Sequence, residues 1–111
     1  MNVHRTAGAR QRLYSVPRTR GQFPVVPTEA WGEHVYFLRD GAGAIVYVGR
    51  TQYIRARLAQ HFTHRPMKPD AVGWEFLRLK THADAVAMEK ALIRLLRPRY
   101  NIQFNPSRSA A

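Results

Sequence analysis

Glu89 is the residue in this 111-residue chain whose surroundings most demand a chemical explanation. At about 100° per residue, Ala85, Val86, Leu92, Ile93 and Leu96 form one apolar arc of a helix, and Glu89 falls inside that arc while Lys90, Arg94 and Arg97 lie off it. A carboxylate among core-facing residues is costly unless it is paired or bound to a metal. Two readings therefore stand side by side: a ligand for a divalent cation, or an ion pair at the edge of the core, with Arg57 for example. Arg57 and His61 are four residues apart, so they share one helix face, which by itself reads as a solvated surface. Tyr36 and Tyr47 by themselves read as core partners across two strands. Asn101, just after Pro98-Arg99-Tyr100, reads as a turn residue or a cap. His4, His64 and His82 lack the spacing of a metal cluster, and the chain holds no Gly-rich phosphate loop, Ser-His-Asp set or paired-carboxylate signature. The absence of cysteine excludes disulfides, zinc thiolate sites and thiol catalysis.

These residues need elements to hold them. Residues 34–39 are rich in β-branched and aromatic side chains and predict a strand, 40–43 a turn, and 44–49 a second strand closing a hairpin. If Arg39 faces Ala44, then Leu38 faces Ile45, Phe37 faces Val46 and Tyr36 faces Tyr47. Both tyrosines then occupy one face of the sheet, because opposed residues point the same way. A helix from residue 51 or 52 to about 62 buries Ile54, Leu58 and Phe62 as a stripe. Residues 63–70, with Pro66 and Pro69, predict a loop, and 73–80 a third strand burying Trp74 or its alternate neighbours. Thr81-His82-Ala83-Asp84 resembles a capping box, opening a helix that runs to about Arg97, where Pro98 stops it.

Composition adds a partner. Eighteen Lys and Arg against seven Asp and Glu give a net charge of +11. Residues 34–111 alone hold thirteen basic and five acidic residues, and the first 28 hold five arginines and no acid. A surplus spread through the folded part points to a polyanion, with nucleic acid ahead of an anionic membrane. No apolar run approaches the roughly 18–20 residues that span a bilayer, and the N-terminus lacks the apolar stretch of a secretory signal. The expected location is the cytoplasm. Residues 1–30, with Pro17, Pro24 and Pro27 and no helical or strand period, read as a basic arm, either hugging DNA or a disordered extension. Residues 31–105 read as the domain and 106–111 as a tail.

Taken in order, the motifs resemble the GIY-YIG endonuclease family. Tyr36 ends His-Val-Tyr, and after ten intervening residues Tyr47 begins Tyr-Val-Gly, the two signatures that name the family at the family's spacing. Gly49-Arg50-Thr51 followed by Ile54-Arg55-Ala56-Arg57-Leu58 resembles its first helix. Ala87-Met88-Glu89-Lys90-Ala91 resembles its metal-binding helix, and Pro98-Arg99-Tyr100-Asn101 its closing motif. His61 matches a position where many members carry His or Tyr. His34 stands where Gly is usual. The resemblance covers residues 34–105 and is strongest to short stand-alone members and to the N-terminal nuclease domain of the bacterial excision-repair endonuclease.

The resemblance implies a small α/β/α sandwich around a three-stranded antiparallel sheet, in agreement with the β-β-α-β-α order read from periodicity. It implies one Mg²⁺ or Mn²⁺ ion on Glu89, a phosphate clamp at Arg57 and a general base at Tyr36. Tyr47 would hydrogen-bond the attacking water or its neighbours, His61 would relay the proton or orient a tyrosine, and Asn101 would position backbone or substrate. Arg50, Arg55, Arg18 and Arg20 are the expected nucleic-acid contacts. The implied reaction is phosphodiester hydrolysis in DNA, structure-directed or of low sequence specificity, in repair or DNA processing. RNA is the other substrate to test, and a protein partner or a homodimer would supply specificity. The rivals are a non-catalytic nucleic-acid-binding protein on the same fold, and a structural protein whose basic arm docks on an acidic partner.

Overall fold

The expected hairpin forms in the computed structural model, which describes residues 18–29, 31–63 and 68–103. Readings that fall on residues 1–17, 64–67 and 104–111 lie outside the described residues. Strand β2 (Glu33–Arg39) and strand β3 (Ile45–Thr51) pair antiparallel. Asp40 shapes the connection, its carboxylate accepting from the amides of Ala42 and Ala44 at 3.0 and 2.9 Å.

The register differs from the expected one by two residues. Tyr36 lies opposite Gly49 and Leu38 opposite Tyr47, and an irregularity between Leu38 and Arg39 pairs Arg39 with Ile45, one residue from the expected Ala44. One extra residue, Val46, is taken up on β3, which is what a bulge does. A shift of two keeps the face, so Tyr36 and Tyr47 still point the same way, but as diagonal rather than direct neighbours. The glycine of Tyr-Val-Gly has a steric reason here. A Cβ on Gly49 would come within 2.5 Å of the Tyr36 hydroxyl, because the Tyr36 ring lies across it.

Strand β4 (Gly73–Leu79) pairs antiparallel with β2, placing Phe76 opposite Tyr36. The sheet has four strands, not three. Strand β1 (Arg18–Gln22), inside the segment read as an arm, pairs with β4 and gives the order β1-β4-β2-β3. No local pattern announces these five residues, and distant partners hold them. The Trp74 ring lies over Gly21, where a Cβ would meet it at 2.5 Å. The Trp74 indole donates to the Val25 carbonyl at 2.7 Å, and Phe23 stacks on Phe62 at 5.7 Å.

Helices cover both faces. Helix α1 (Ile54–Thr63) buries Ile54 and Leu58 against Tyr36, Leu38, Trp74 and Phe76. Ten residues make a marginal helix in water, so this burial, at roughly 1.5–3 kcal/mol per large apolar side chain, is what keeps it. Helix α2 (His82–Leu96) buries Ala85 and Leu92 against Val35, Phe37, Val48 and Leu77 on the other face. Thr81 caps it as expected, accepting from the Asp84 amide at 3.0 Å. Arg97 ends it in the left-handed region at φ 46° before Pro98. Leu96, assigned to the apolar arc, is exposed at this end. The turn expected at Asn101 is a short helix, α3 (Arg99–Gln103), packed on β3.

His34 is fully buried beside Phe76. Its Nδ1 contacts the Gly32 carbonyl at 2.8 Å, and a carbonyl only accepts, so Nδ1 carries the proton. Nε2 has no partner among the described residues. Burial holds the His34 pKa below the ordinary value of 6.5. Below that value the unfolded chain takes up a proton that the folded chain refuses, so stability falls as pH drops from about 6.5 toward the folded pKa. Chemical denaturation at pH 7.5 and pH 5.5 should show a loss in the wild type with a slope of up to about 1.4 kcal/mol per pH unit. His34→Phe should be flatter over the same window; identical slopes would mean that His34 does not control it.

Candidate active site

The chemistry-bearing residues converge on β3, and the topology explains why. β3 is an edge strand, so groups from both sheet faces reach around it to one place. From the α1 face come Tyr36, Tyr47 and His61. Their rings form a triangle with centroids 6.0 Å apart for the tyrosines, 5.4 Å for Tyr36–His61 and 5.3 Å for Tyr47–His61. The Tyr36 hydroxyl is hydrogen-bonded to His61 Nε2 at 2.8 Å. Arg57, one turn before His61 on α1, is close enough for its charge to act on both phenols.

From the other face comes Glu89. Its Oε1 accepts from Arg50 Nε at 3.1 Å, with the Glu89 side chain 23% exposed. The ion pair raised as a reading of Glu89 thus exists, with Arg50 as partner rather than Arg57. Oε2 makes no hydrogen bond among the described residues, and the carboxylate is near enough to Tyr47 to oppose its ionisation. No group of three or more His, Cys, Asp and Glu side chains capable of caging a metal exists among the described residues. A single half-exposed carboxylate fits a hard cation that keeps most of its waters, as Mg²⁺ does.

Both tyrosines are held as neutral phenols. Burial pushes the Tyr36 hydroxyl well above the usual phenol range, the adjacent Tyr47 adds to this, and Arg57 pulls the other way without prevailing. Burial also raises Tyr47, opposed by the Tyr36 hydroxyl beside it, while Glu89 raises it and Arg57 lowers it. The positive charge expected to depress the Tyr36 pKa is present but outweighed by desolvation.

Asn101 grips the backbone of β3 between Tyr47 and Arg50. Its Oδ1 accepts from the Val48 amide at 2.9 Å and its Nδ2 donates to the Val48 carbonyl at 2.8 Å. The side chain thereby pairs with the open edge of β3 as a neighbouring strand would, next to Tyr47. Asn101→Ala removes both bonds and leaves two backbone groups of a buried residue unmatched, at a cost of about 1–3 kcal/mol each way the penalty is reckoned. Thermal melting should show a clear drop, and Asn101→Asp should not rescue it, because its second carboxylate oxygen would face the Val48 carbonyl that Nδ2 now donates to; a melting temperature equal to wild type in either variant would contradict this clamp.

The remaining expected contacts divide. Arg50 joins the site through Glu89. Arg55 is exposed on the flank of α1 away from Arg57. Arg18 and Arg20 lie on β1, three strand spacings or about 14 Å from β3. Arg18 is committed to the buried Glu75 at 2.8 Å, which Arg39 also holds at 2.8 Å. Lys68 escaped the sequence reading altogether. It is 9% exposed, and its ammonium stands 4.5 Å from the centre of the Tyr47 ring. It lies in a Pro-flanked loop without periodicity, so no local signal marks it. Asp70 ties that loop to α3 through Tyr100 and Arg99.

A hairpin bearing two tyrosines, an arginine helix and a glutamate helix meeting at an edge strand define a class of nuclease domain. The family model for the UvrC-like GIY-YIG domain matches residues 33–102, and the chain belongs to the GIY-YIG endonuclease family. Its relatives include UvrABC system protein C of Gloeobacter violaceus, 34% identical over 77% of this chain, and that of Oleidesulfovibrio alaskensis, 40% identical over 61%. The matched part is 14% and 11% of those proteins, so the chain spans about one-seventh or less of the curated relatives' length. Among solved structures it is similar to the N-terminal GIY-YIG endonuclease domain of UvrC from Thermotoga maritima bound to magnesium. The TM-score is 0.57 at 20% identity, covering 66% of this chain and 86% of that domain. A point mutant of the same domain matches over 84% of this chain and 93% of its own length with a TM-score of 0.54. These likenesses establish the fold. No helix among the described residues is long and apolar enough to cross a membrane.

Proposed function

We propose that this chain is a divalent-metal-dependent endonuclease that hydrolyses phosphodiester bonds in DNA, structure-directed or of low sequence specificity, in cytoplasmic repair or DNA processing. The observation that carries the reading is the convergence of Tyr36, Tyr47, His61, Arg57 and Glu89 about the edge of β3. The UvrABC system protein C relatives and the magnesium-bound endonuclease domain support it, as does the net charge of +11.

Glu89 is the residue that would hold the ion, one Mg²⁺ or Mn²⁺. When bound, the ion supplies Lewis-acid stabilisation of negative charge on the phosphate. The other roles belong to the chain itself. Arg57, always protonated, binds the scissile phosphate and offsets its growing charge. Water attacks phosphorus, the bond to the leaving oxygen breaks, and the water's proton passes to Tyr36. A phenol with a raised pKa is a base only if it sheds its own proton at the same time. The 2.8 Å contact to His61 Nε2 supplies the acceptor, so Tyr36 and His61 act as one relay. Tyr47 orients the water, with Lys68 against its ring and Asn101 holding its strand. Arg50 steers Glu89 and joins Arg55 in meeting the flanking backbone. Residues 1–30, read as an arm, and a protein partner or second copy would add selectivity.

The test is nicking of supercoiled plasmid with and without Mg²⁺ or Mn²⁺. Relaxed circles are expected only with the metal. DNA binding with no scission of plasmid, single-stranded, branched or RNA substrates would favour the binding-only reading, which the Arg50–Glu89 ion pair would then explain.

A further inference from the structure

The described surface carries two large exposed aromatics that the proposed chemistry does not use. Trp31 is 59% exposed and Tyr53 is 61% exposed. They are 22 residues apart in sequence, yet they line one cleft of about 300 Å³ with Ile54, Ala56 and Ala59 beneath them and Arg55 at its rim. Trp31 also walls a second cleft of about 590 Å³, whose cations are Arg78 and Lys80. Arg78 is anchored there, its Nη2 donating to the Trp31 carbonyl at 3.3 Å. Backbone bonds fix the corner: the Gly32 amide donates to the Gln52 carbonyl at 3.1 Å. Two carboxylates border the clefts. Glu33 is engaged by Gln52 at 2.6 Å and His82 at 3.3 Å, and Glu29 faces both Trp31 and Tyr53.

Exposed aromatic rings between guanidinium and ammonium groups are costly on a free surface and are the usual platform for unpaired bases. The position ties this platform to the site. The Arg57 amide donates to the Tyr53 carbonyl at 2.9 Å, so Tyr53 stands one turn before Arg57 and nearly above it on the same side of α1. The cleft itself lies on the flank of α1 that carries Arg55, Ala56 and Ala59, so a strand whose phosphate is held at Arg57 would round the start of α1 past Tyr53 to reach Trp31.

We propose that Trp31 and Tyr53 form a subsite that stacks unpaired nucleobases flanking the scissile phosphate, with Arg55, Arg78 and Lys80 receiving the backbone. The occupant is single-stranded nucleic acid or an unpaired stretch in a duplex, because an intact duplex hides its ring faces. This rests on the nuclease reading only for the word scissile; the stacking itself needs no cleavage.

The experiment uses the full chain with metal chelated, so that nothing is cut, and titrates a short oligothymidylate while following tryptophan fluorescence. Trp74 is 4% exposed and stacked on Phe76, so quenching reports Trp31. Saturable quenching is expected with the oligothymidylate and much less with a duplex of equal length. Trp31→Phe should lose the signal, and Tyr53→Ala should weaken binding about five- to a hundredfold, the range of one stacked base. No quenching, equal quenching by poly-glutamate at matched charge, or unchanged affinity in Tyr53→Ala would each overturn the subsite. Quenching as expected in a protein that never nicks DNA would leave the subsite standing and sink the nuclease instead.

Discussion

Glu89→Ala is expected to reduce metal-dependent nicking by about a thousandfold or more while the protein stays folded and still binds DNA. Lewis-acid stabilisation at a phosphoryl centre amounts to several kcal/mol, and each 1.36 kcal/mol is about a factor of ten in rate. Glu89 offers the only carboxylate placed against Tyr47 among the described residues, so no neighbour substitutes for it. The folding cost is small by comparison. The Arg50–Glu89 pair is partly solvated on both sides, at 38% and 23% exposure, and such pairs contribute about 0–1 kcal/mol. Removing a negative charge from a basic surface should, if anything, tighten DNA binding. The measurement is nicking rate against Mn²⁺ concentration, with melting temperature and DNA affinity as controls. If Glu89→Ala cut as fast as wild type, Glu89 would be a plain ion-pair partner of Arg50. The companion Arg50→Ala separates the two roles, since it frees Glu89 without removing a ligand and should retain metal-dependent cleavage.

Tyr36→Phe carries the second large effect. It removes one oxygen and keeps the ring that packs across Gly49, so the hairpin should survive. Proton transfer by a positioned side chain contributes about 10²- to 10⁴-fold, and the loss should fall in that range in the rate at saturating DNA, with little change in affinity. His61→Ala should cost less than Tyr36→Phe if the histidine only receives the proton, because solvent can replace it at a half-buried position. Because both changes interrupt one relay, the double variant should be no slower than Tyr36→Phe alone. A fully multiplicative double variant would separate the two residues and reject the relay. An unchanged rate in Tyr36→Phe would reject the base itself.

What could be read from the residues follows local rules. The β2–β3 hairpin, the Thr81 cap, the stop at Pro98 and the α1 stripe of Ile54 and Leu58 are each written within a few residues, by side-chain type, period or backbone restriction. Glu89 was legible for the same reason, as a violation of its own helix's period. The shared face of Tyr36 and Tyr47 followed from strand parity, which survives a shift of two. The family resemblance added the roles, because six matching positions in order, Tyr36, Tyr47, Arg57, His61, Glu89 and Asn101, carry information that no single one does.

Tertiary structure decided the rest. The bulge at Val46 set the hairpin register, and with it the Tyr36 ring over Gly49. Strand β1 exists because Glu75 and Trp74, more than fifty residues away, receive Arg18 and Gly21. Arg50 rather than Arg57 pairs with Glu89 because Arg50 and α2 share a sheet face, whereas Arg57 lies on the other. Lys68 reaches Tyr47 from an aperiodic loop, and Asn101 finds Val48 at a separation of 53 residues. Sequence by itself determined the elements that carry a local signal, β2, β3, β4, α1 and α2, and which residue types their faces present, since those depend on neighbours along the chain. Which of those faces meet, and so which groups share a proton, a charge or a strand edge, depended on packing between residues that no local period connects.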